Sequence, residues 1–158
     1  MIVHPLKPLY NSDSKTLILG SFPSVKSREL NFFYAHPQNR FWKVVSAIFN
    51  SKMPISVEEK TQLILDNNLA LYDVIYSCDI VSSQDSSIKN VTPSNLTEVI
   101  KNSKINRVFV NGKTAEFYYK KYLEKTLNLK CGVLPSTSPA NATFSLEKLI
   151  NAWSIIKD

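Results

Sequence analysis

The stretch LILGSFPSVKSRELNFFYAHPQNRFWKVVSAIF, residues 17–49, predicts how the rest of the chain is organised. It begins with three apolar residues and reaches Gly20, a pattern typical of a buried parallel strand that ends in a loop. The loop at residues 21–28 is small, hydroxyl-rich and basic. Apolar residues then recur at helical spacing from Phe41 to Phe49, so we expect a helix anchored in the core. Because ligands of open α/β sheets bind beyond the carboxyl ends of the strands, we expect a binding site at this loop.

Length and composition are those of one globular domain spanning residues 1–158. Apolar residues make up 44% of the chain and charged residues 20%, which is ordinary for a water-soluble protein. No apolar run is long enough to cross a membrane, and the N-terminus lacks the features of a signal peptide. We therefore expect an intracellular, cytoplasmic protein with no membrane partner.

Cysteine and histidine are too few for the common metal centres. Cys78 and Cys131 are the only cysteines and form no CxxC motif, so they cannot hold an iron–sulfur cluster or a structural zinc ion. The two histidines, His4 and His36, are not spaced as metal ligands. We expect reduced cysteines near the core, no metal and no cofactor.

The net charge of +6 favours a polyanionic partner, but charge alone is weak evidence. Many of the basic residues lie between residues 101 and 130, where a solvated helix face explains most of them. Binding to nucleic acid is therefore one open interpretation of the charge.

Strands and helices are predicted to alternate along the chain. The predicted strands, which are short apolar runs, are residues 16–20, 69–77, 105–110 and 130–134. The predicted helices, which carry helical periodicity or capping signals, are residues 41–49, 56–67, 92–100, 113–125 and 145–156. This alternation predicts an α/β fold of three layers, in which helices cover both faces of a central four-stranded parallel sheet.

Local signals predict some of the boundaries. Ser56 and Glu59 match a capping box at the start of the second helix. Thr92 and Pro93 are expected to be the N-cap and the first residue of the third helix. Residues 79–90 form a long polar loop with no predicted structure, and such loops are usually functional or mobile. Two prolines near the N-terminus predict an extended arm.

Two loops rich in serine, threonine and proline, residues 21–28 and 135–141, should lie side by side at the strand ends. Their hydroxyl and backbone N–H groups suit phosphate oxygens. The candidate DNA-binding residues in these loops are Ser21, Pro23, Ser24, Lys26, Ser27, Arg28, Ser136, Thr137 and Ser138. The alternative is that both loops are only turns that cap helices, and the residues alone leave both interpretations open.

Four motif segments, GSFPSVKS (20–27), YAHPQNRFW (34–42), NGKTA (111–115) and LPSTSPAN (134–141), resemble the uracil-DNA glycosylase superfamily. They are most similar to its hypoxanthine-DNA glycosylase branch. The resemblance implies a four-stranded parallel sheet between helices and a monofunctional, metal-free enzyme of base excision repair. It also implies hydrolysis of the base–sugar bond of deoxyinosine, the product of adenine deamination, in double-stranded DNA.

The chain departs from the wider superfamily at the position that activates water. Most relatives place Asp or Asn just before the proline of the first segment, where this chain has Phe22. The last segment also lacks the histidine that many relatives carry. In the hypoxanthine branch the catalytic role belongs to the Asn of the PxN segment, which is Asn39 here. Asn39 could equally cap the helix that follows, and the two roles can coexist.

Four further side chains are candidates for binding a base that has been flipped out of the duplex. Tyr34 and Phe22 could stack against it, and Asp73 and Asn111, near strand ends, could read its edge. Asp73 and Asn111 could also simply satisfy turns. Two other functions stay open: a mismatch-type uracil or thymine glycosylase, and a catalytically silent module that binds damaged DNA. We expect a monomer.

Overall fold

The computed structural model describes all 158 residues, Met1–Asp158. The β-strands, in chain order, are β1 (Ile2–Val3), β2 (Thr16–Gly20), β3 (Leu69–Asp73), β4 (Ile75–Asp79), β5 (Lys89–Pro93), β6 (Arg107–Asn111) and β7 (Cys131–Leu134). The α-helices are α1 (Val25–Leu30), α2 (Phe41–Ile48), α3 (Val57–Asp66), α4 (Thr97–Lys101), α5 (Lys113–Tyr122), α6 (Glu124–Leu127) and α7 (Leu146–Trp153). Short 3₁₀ helices occupy Asp85–Ser87 and Ser154–Lys157.

A parallel sheet of four strands, in the order β3-β2-β6-β7, forms the centre of the molecule. Strand β2 is buried at every position, because helices and loops cover both faces of the sheet around it. The predicted α/β fold with a four-stranded parallel sheet is therefore confirmed. The register pairs Gly20 with Asp73, so β2 and β3 end at the same level.

A second, antiparallel sheet in the order β1-β4-β5 was not predicted. The single strand predicted at residues 69–77 is wrong, because this segment is two strands that belong to different sheets and are separated by Val74. The Val74 N–H donates to the carbonyl oxygen of Gly20 (2.8 Å), and the chain then leaves the parallel sheet. Apart from Asp73, the residues on both sides of Val74 are apolar or aromatic, and the absence of glycine and proline hides this change of direction in the sequence.

The region between β4 and α4 also differs from its prediction. Residues 79–90 are not without structure, since they contain a 3₁₀ turn and the start of β5. Thr92 and Pro93 do not begin a helix, because both belong to β5, where Pro93 pairs with Ile75. Strand β5 lies at the edge of its sheet, and an edge strand tolerates a proline that lacks an N–H group. Helix α4 begins only at Thr97.

The N-terminal segment is extended, as its prolines predicted, and it packs against β3 and β4. Leu9 and Leu71 exchange two backbone hydrogen bonds of 2.9 Å. The His4 N–H donates to the carbonyl oxygen of Tyr76 (2.7 Å), and the Tyr72 hydroxyl donates to that of Leu6 (2.9 Å). These contacts bring the side chain of His4 into the interior.

Helices α2, α3 and α7 follow their sequence signals closely, whereas α1 was not predicted and the helix predicted at residues 113–125 is divided into α5 and α6. Helix α2 buries its apolar residues, and the ring of Phe41 meets that of Trp153 edge to face at 5.7 Å. Helix α3 begins with the predicted capping box of Ser56 and Glu59. Helix α7 is capped by Ser145, one residue before its first turn. No helix is both long and apolar enough to span a bilayer.

Trp153 links the last helix to the loop beyond β7. Its indole Nε1–H donates to the carbonyl oxygen of Pro135 (2.9 Å), and the ring is fully buried. We expect Trp153→Phe to lower the free energy of unfolding by about 1–3 kcal/mol, because the partly buried carbonyl of Pro135 loses its donor. Urea denaturation measures this, with the exposed Ser154→Ala as a control that stays within about 0.5 kcal/mol. Equal midpoints for Trp153→Phe and wild type would contradict the assignment.

Candidate active site

One cavity of about 430 Å³ opens at the carboxyl ends of the parallel strands. The last residues of β2, β3 and β6, which are Gly20, Asp73 and Asn111, all lie on its wall. This is where open α/β sheets bind their ligands, and the volume falls within the range of small-molecule sites, about 300–1,000 Å³. The cavity is thus large enough to admit a nucleobase.

Most of the residues predicted to form a site line this cavity. They are Ser21, Phe22, Pro23, Ser24, Ser27, Tyr34, Asn39, Asp73, Asn111, Ser136, Thr137 and Ser138. The segments at 21–28 and 135–141 therefore lie side by side, as expected, but the first is not loop throughout, because helix α1 begins at Val25. Lys26 and Arg28 do not line it: Lys26 pairs on the surface with Glu29 at 3.6 Å, and Arg28 binds backbone carbonyls.

The two polar atoms of the Asn39 amide differ, because the oxygen accepts a hydrogen bond and the nitrogen makes none within the protein. The Phe41 N–H donates to Asn39 Oδ1 (2.9 Å), which satisfies an N–H group in the first turn of α2. Asn39 Nδ2 makes no hydrogen bond within the protein, and the residue lies on the cavity wall. The side chain therefore stabilises the helix start while it presents N–H donors to the cavity.

Tyr34 adopts an unusual backbone conformation at the base of the cavity. Its φ is 51°, a left-handed value that costs a non-glycine residue roughly 1–2 kcal/mol. Its ring stacks on Phe41 with centroids 4.0 Å apart, and its buried hydroxyl makes no hydrogen bond. Burial, and then the nearby Asp73 carboxylate, raise the pKa of Tyr34, while the Asn111 side chain acts in the opposite direction. The hydroxyl thus stays protonated and available as a donor.

Gly20 leaves the space in which the polar groups of Tyr34 and Asp73 converge. A Cβ at this position would stand 2.5 Å from Asp73 Oδ1 and 3.0 Å from the Tyr34 hydroxyl oxygen. Real Cβ atoms essentially never come so close to another heavy atom as the first of these distances. The absence of a side chain at the end of β2 is therefore a condition for the arrangement beside it.

Phe22 is buried, and its ring belongs mainly to a small core cluster. It packs with Ile75, Cys78 and Ile88. The Arg28 guanidinium carbon lies 5.9 Å from the centre of the ring. Phe22 lines the cavity, but most of its surface is already covered by the protein.

The loop at 135–141 is held by side chains that sequence reasoning had assigned to other roles or left unassigned. Asn111 and Thr137 form a reciprocal pair: Nδ2 of Asn111 donates to the Thr137 hydroxyl (3.0 Å), and the Thr137 N–H donates to Asn111 Oδ1 (3.1 Å). Arg40, for which no role was predicted, donates to the carbonyl oxygens of Ser138 (3.2 Å) and Asn141 (2.9 Å). Because Thr137 is fully buried, its geometry favours a structural role over phosphate contact.

A further segment of the cavity wall, residues 80–86, was missed. The Val25 N–H donates to the Ser83 hydroxyl (2.9 Å), and Arg28 Nη2 donates to the carbonyl oxygen of Ser82 (2.7 Å). The only signal in the sequence for the segment at 80–86 was the length of the polar loop.

Two further features of the cavity concern a loop contact and metals. The buried Ser27 hydroxyl accepts the Ala35 N–H (3.1 Å). No three histidine, cysteine, aspartate or glutamate side chains cluster closely enough to hold a metal ion.

His4 lies behind the cavity wall and was also missed. Its Nε2 and Asp73 Oδ2 are 2.7 Å apart, and both side chains are buried. The His4 ring stacks on Tyr72 with centroids 4.4 Å apart. No sequence signal could have found this pair, because its members are 69 residues apart in the chain.

Comparison with known proteins identifies the family. A family model described as the uracil DNA glycosylase superfamily matches residues 7–157. The chain belongs to the uracil-DNA glycosylase superfamily. It is therefore an enzyme of the DNA glycosylase class, and the resemblance inferred from the four motif segments is confirmed.

Individual relatives of this glycosylase agree with the family assignment. A protein of Methanosarcina acetivorans named hypoxanthine DNA glycosylase is 32% identical over 149 residues, which cover 92% of each chain. A protein of the same name from Methanosarcina barkeri is 26% identical over 151 residues, covering 93% of this chain and 92% of the relative. A solution NMR structure from Methanosarcina acetivorans, described as a candidate uracil DNA glycosylase, superposes with a TM-score of 0.84 at 26% identity. That match covers 99% of this chain and 98% of the other.

Gly20→Ala tests the crowding at the end of β2. We expect the added methyl group to displace Asp73 or Tyr34 and to slow base excision roughly a hundred-fold per folded molecule, because small misplacements in a site are costly. Single-turnover excision measures this. Gly132→Ala is the matched control, since its Cβ would stand 2.7 Å from the Phe109 ring but outside the cavity. Equal activity in the two variants would contradict the importance of Gly20 for the site.

Proposed function

We propose that this glycosylase removes hypoxanthine from deoxyinosine in double-stranded DNA, acting as a monomer through one domain at residues 1–158. The observation that carries the proposal is the cavity at the strand ends, which both Asn39, with its unbonded amide nitrogen, and Asp73 line. The names of the two Methanosarcina relatives support hypoxanthine as the base.

The proposed mechanism relies on oriented dipoles rather than on a strong base. The Asn39 amide cannot deprotonate water at neutral pH. Cleavage of an N-glycosidic bond develops positive charge on the sugar and negative charge on the departing base. Asn39 Nδ2 can donate to the base or to water, and preorganised contacts of this kind typically contribute about 3–4 kcal/mol each. Departure of the base can then largely precede attack by water.

The base must leave the duplex before it can enter the cavity, at a cost of a few kcal/mol. Stacking on an aromatic ring can offset this by about 1–3 kcal/mol. Phe41 covers one face of Tyr34, so only the opposite face could receive a base. Of the two aromatic candidates, Tyr34 is supported more strongly than Phe22, whose ring packs mainly against the core.

The hydroxyl loops are proposed to bind the phosphate backbone on either side of the flipped nucleotide. Ser24, Ser136 and Ser138 are partly exposed on the rim, and Lys26 is exposed on α1 beside them. Ser27, Arg28, Thr137 and Asn111 are instead used to hold the loops in place. The expected DNA contacts are therefore fewer than the sequence suggested.

A substrate panel tests the proposed function. Duplexes that each carry one hypoxanthine, uracil or xanthine are incubated with the protein and then treated with alkali, which breaks the strand at abasic sites. We expect cleavage chiefly at hypoxanthine. Cleavage chiefly at uracil would instead support the mismatch-type glycosylase, and binding without cleavage would support a silent damage-binding module.

Substitution of Asn39 separates its two roles. We expect Asn39→Ala to lose most excision, because the free amide donors are removed, and to lose about 1 kcal/mol of stability with the cap. Asn39→Asp keeps an oxygen that can accept the Phe41 N–H, so it should retain stability and still lack the donors. Excision and thermal unfolding are measured on both variants. Full excision per folded molecule in Asn39→Ala would mean that Asn39 acts only as a cap.

Phosphate contacts predict a salt-dependent affinity. Lys26 is the only charged side chain among the proposed phosphate contacts, so raising the salt concentration from 50 to 200 mM should weaken duplex binding roughly 3- to 4-fold through this contact. Lys26→Ala should reduce the slope of log affinity against log salt by about 1. Lys104→Ala is the control, since Lys104 pairs with Asp13 at the opposite end of the sheet. A flat salt response would contradict the assignment of the hydroxyl loops to DNA.

A further inference from the structure

The tautomer of His4 is fixed by the two groups that contact its ring. The Leu6 N–H donates to His4 Nδ1 (3.1 Å), so this nitrogen must carry a lone pair rather than a proton. The proton of the neutral imidazole therefore lies on Nε2, which donates to Asp73 Oδ2 at 2.7 Å. Since both side chains are buried, this bond orients the Asp73 carboxylate from behind the cavity wall.

The second carboxylate oxygen of Asp73 faces the cavity. Oδ1 accepts no hydrogen bond from the protein, and the Tyr34 hydroxyl is the only sealed side-chain atom that lacks a partner, so Oδ1 is open to the cavity. Both atoms converge on Gly20, at 2.5 and 3.0 Å from the position of its missing Cβ. An oxygen that can only accept and a hydroxyl that needs an acceptor thus lie side by side.

This pair of groups complements a chemical feature that deamination creates. Hypoxanthine presents an N1–H donor beside the O6 carbonyl, whereas adenine presents a lone pair on N1 beside an amino group. A carboxylate oxygen can accept the hypoxanthine N1–H but repels the adenine lone pair. Sites built around such a hydrogen bond reject analogues that cannot form it far more strongly than apolar pockets reject a change in size.

We propose that His4 is a positioning residue that fixes Asp73 so that Oδ1 accepts the N–H next to the carbonyl of a deaminated base, and that this contact excludes adenine. The inference rests on the proposed function of the cavity. The same hydrogen bond could form with uracil, xanthine, guanine and thymine, which also carry an N–H beside a carbonyl. Other residues that line the cavity must therefore select among these bases.

Asp73→Asn provides a directional test, because His4 dictates how the new amide sits. His4 Nε2–H needs an acceptor, so the amide oxygen of the new side chain should turn to His4 and its NH₂ group to the cavity. A donor then faces the hypoxanthine N1–H, and the ratio of hypoxanthine to adenine excision should fall roughly ten- to hundred-fold, the effect of one mispaired buried polar group.

The double variant His4→Phe with Asp73→Asn should reverse part of this loss. Without the His4 N–H, the amide is free to turn its oxygen toward the cavity and accept from the base again. If His4 had a purely structural role, the double variant should show no recovery of the ratio of hypoxanthine to adenine excision, because the second substitution would only destabilise the protein further. Asp66→Asn, which removes the same charge from an exposed site at the far end of the sheet, is the matched control and should leave the ratio unchanged.

The experiment measures single-turnover excision of hypoxanthine and adenine, each opposite thymine, together with equilibrium binding of both duplexes. Thermal unfolding and binding to a duplex with a stable abasic analogue check that each variant folds. Excision of two methylated bases by the wild type is a further test. The base 2-methylhypoxanthine keeps the N1–H and should be excised, whereas 1-methylhypoxanthine lacks it and should be rejected.

The outcomes separate this inference from the proposed function. If the wild type excises hypoxanthine but Asp73→Asn keeps the same base ratio, or both methylated bases react alike, the inference is overturned and the function stands. Loss of all excision in Asp73→Asn without recovery in the double variant would also overturn it, because Asp73 would then act in the chemistry. If the wild type excises nothing, the proposed function fails. If the wild type also binds hypoxanthine and adenine duplexes equally, the proposed contact of Asp73 with the base is overturned as well.

Discussion

The site depends on the alignment of β2 and β3 in the parallel sheet. Their register pairs Gly20 with Asp73, so both strands end at the same level and deliver a bare backbone and a carboxylate to one point. Any side chain larger than hydrogen at Gly20 would collide with Asp73 or with the Tyr34 hydroxyl. The buried hydrogen bond from His4 then leaves one carboxylate oxygen facing the cavity. The position of the Asp73 carboxylate beside Gly20 is thus a consequence of strand register.

Around Gly20, Asp73 and Tyr34, charged and polar side chains bind the loops of the protein. Arg40 binds carbonyl groups of the loop at 135–141, and Arg28 binds that of Ser82 in the segment at 80–86. Asn111 and Thr137 close on each other. With only three glycines in the chain, the loops are stabilised by side chains, while the amide nitrogen of Asn39 makes no hydrogen bond within the protein.

The sequence was sufficient where a local pattern determines local structure. The buried strand β2, the apolar face of α2 and the capping box at Ser56 were all predicted, because each depends on neighbours within a few residues. The break at Val74 was missed, because apolar residues continue through it into a second sheet. The role of His4 could not be predicted either, since it depends on the packing of an extended arm against strands about seventy residues away.

The most direct test of the account is a crystal structure of the protein bound to a duplex that carries a 2′-fluorinated deoxyinosine, in which fluorine disfavours positive charge on the sugar and so slows cleavage. We expect hypoxanthine in the cavity against the open face of Tyr34, with N1 about 2.7–3.2 Å from Asp73 Oδ1 and the Asn39 amide beside the glycosidic bond. A base that stays stacked in the duplex, or that enters the cavity with its N1 edge turned away from Asp73, would contradict it.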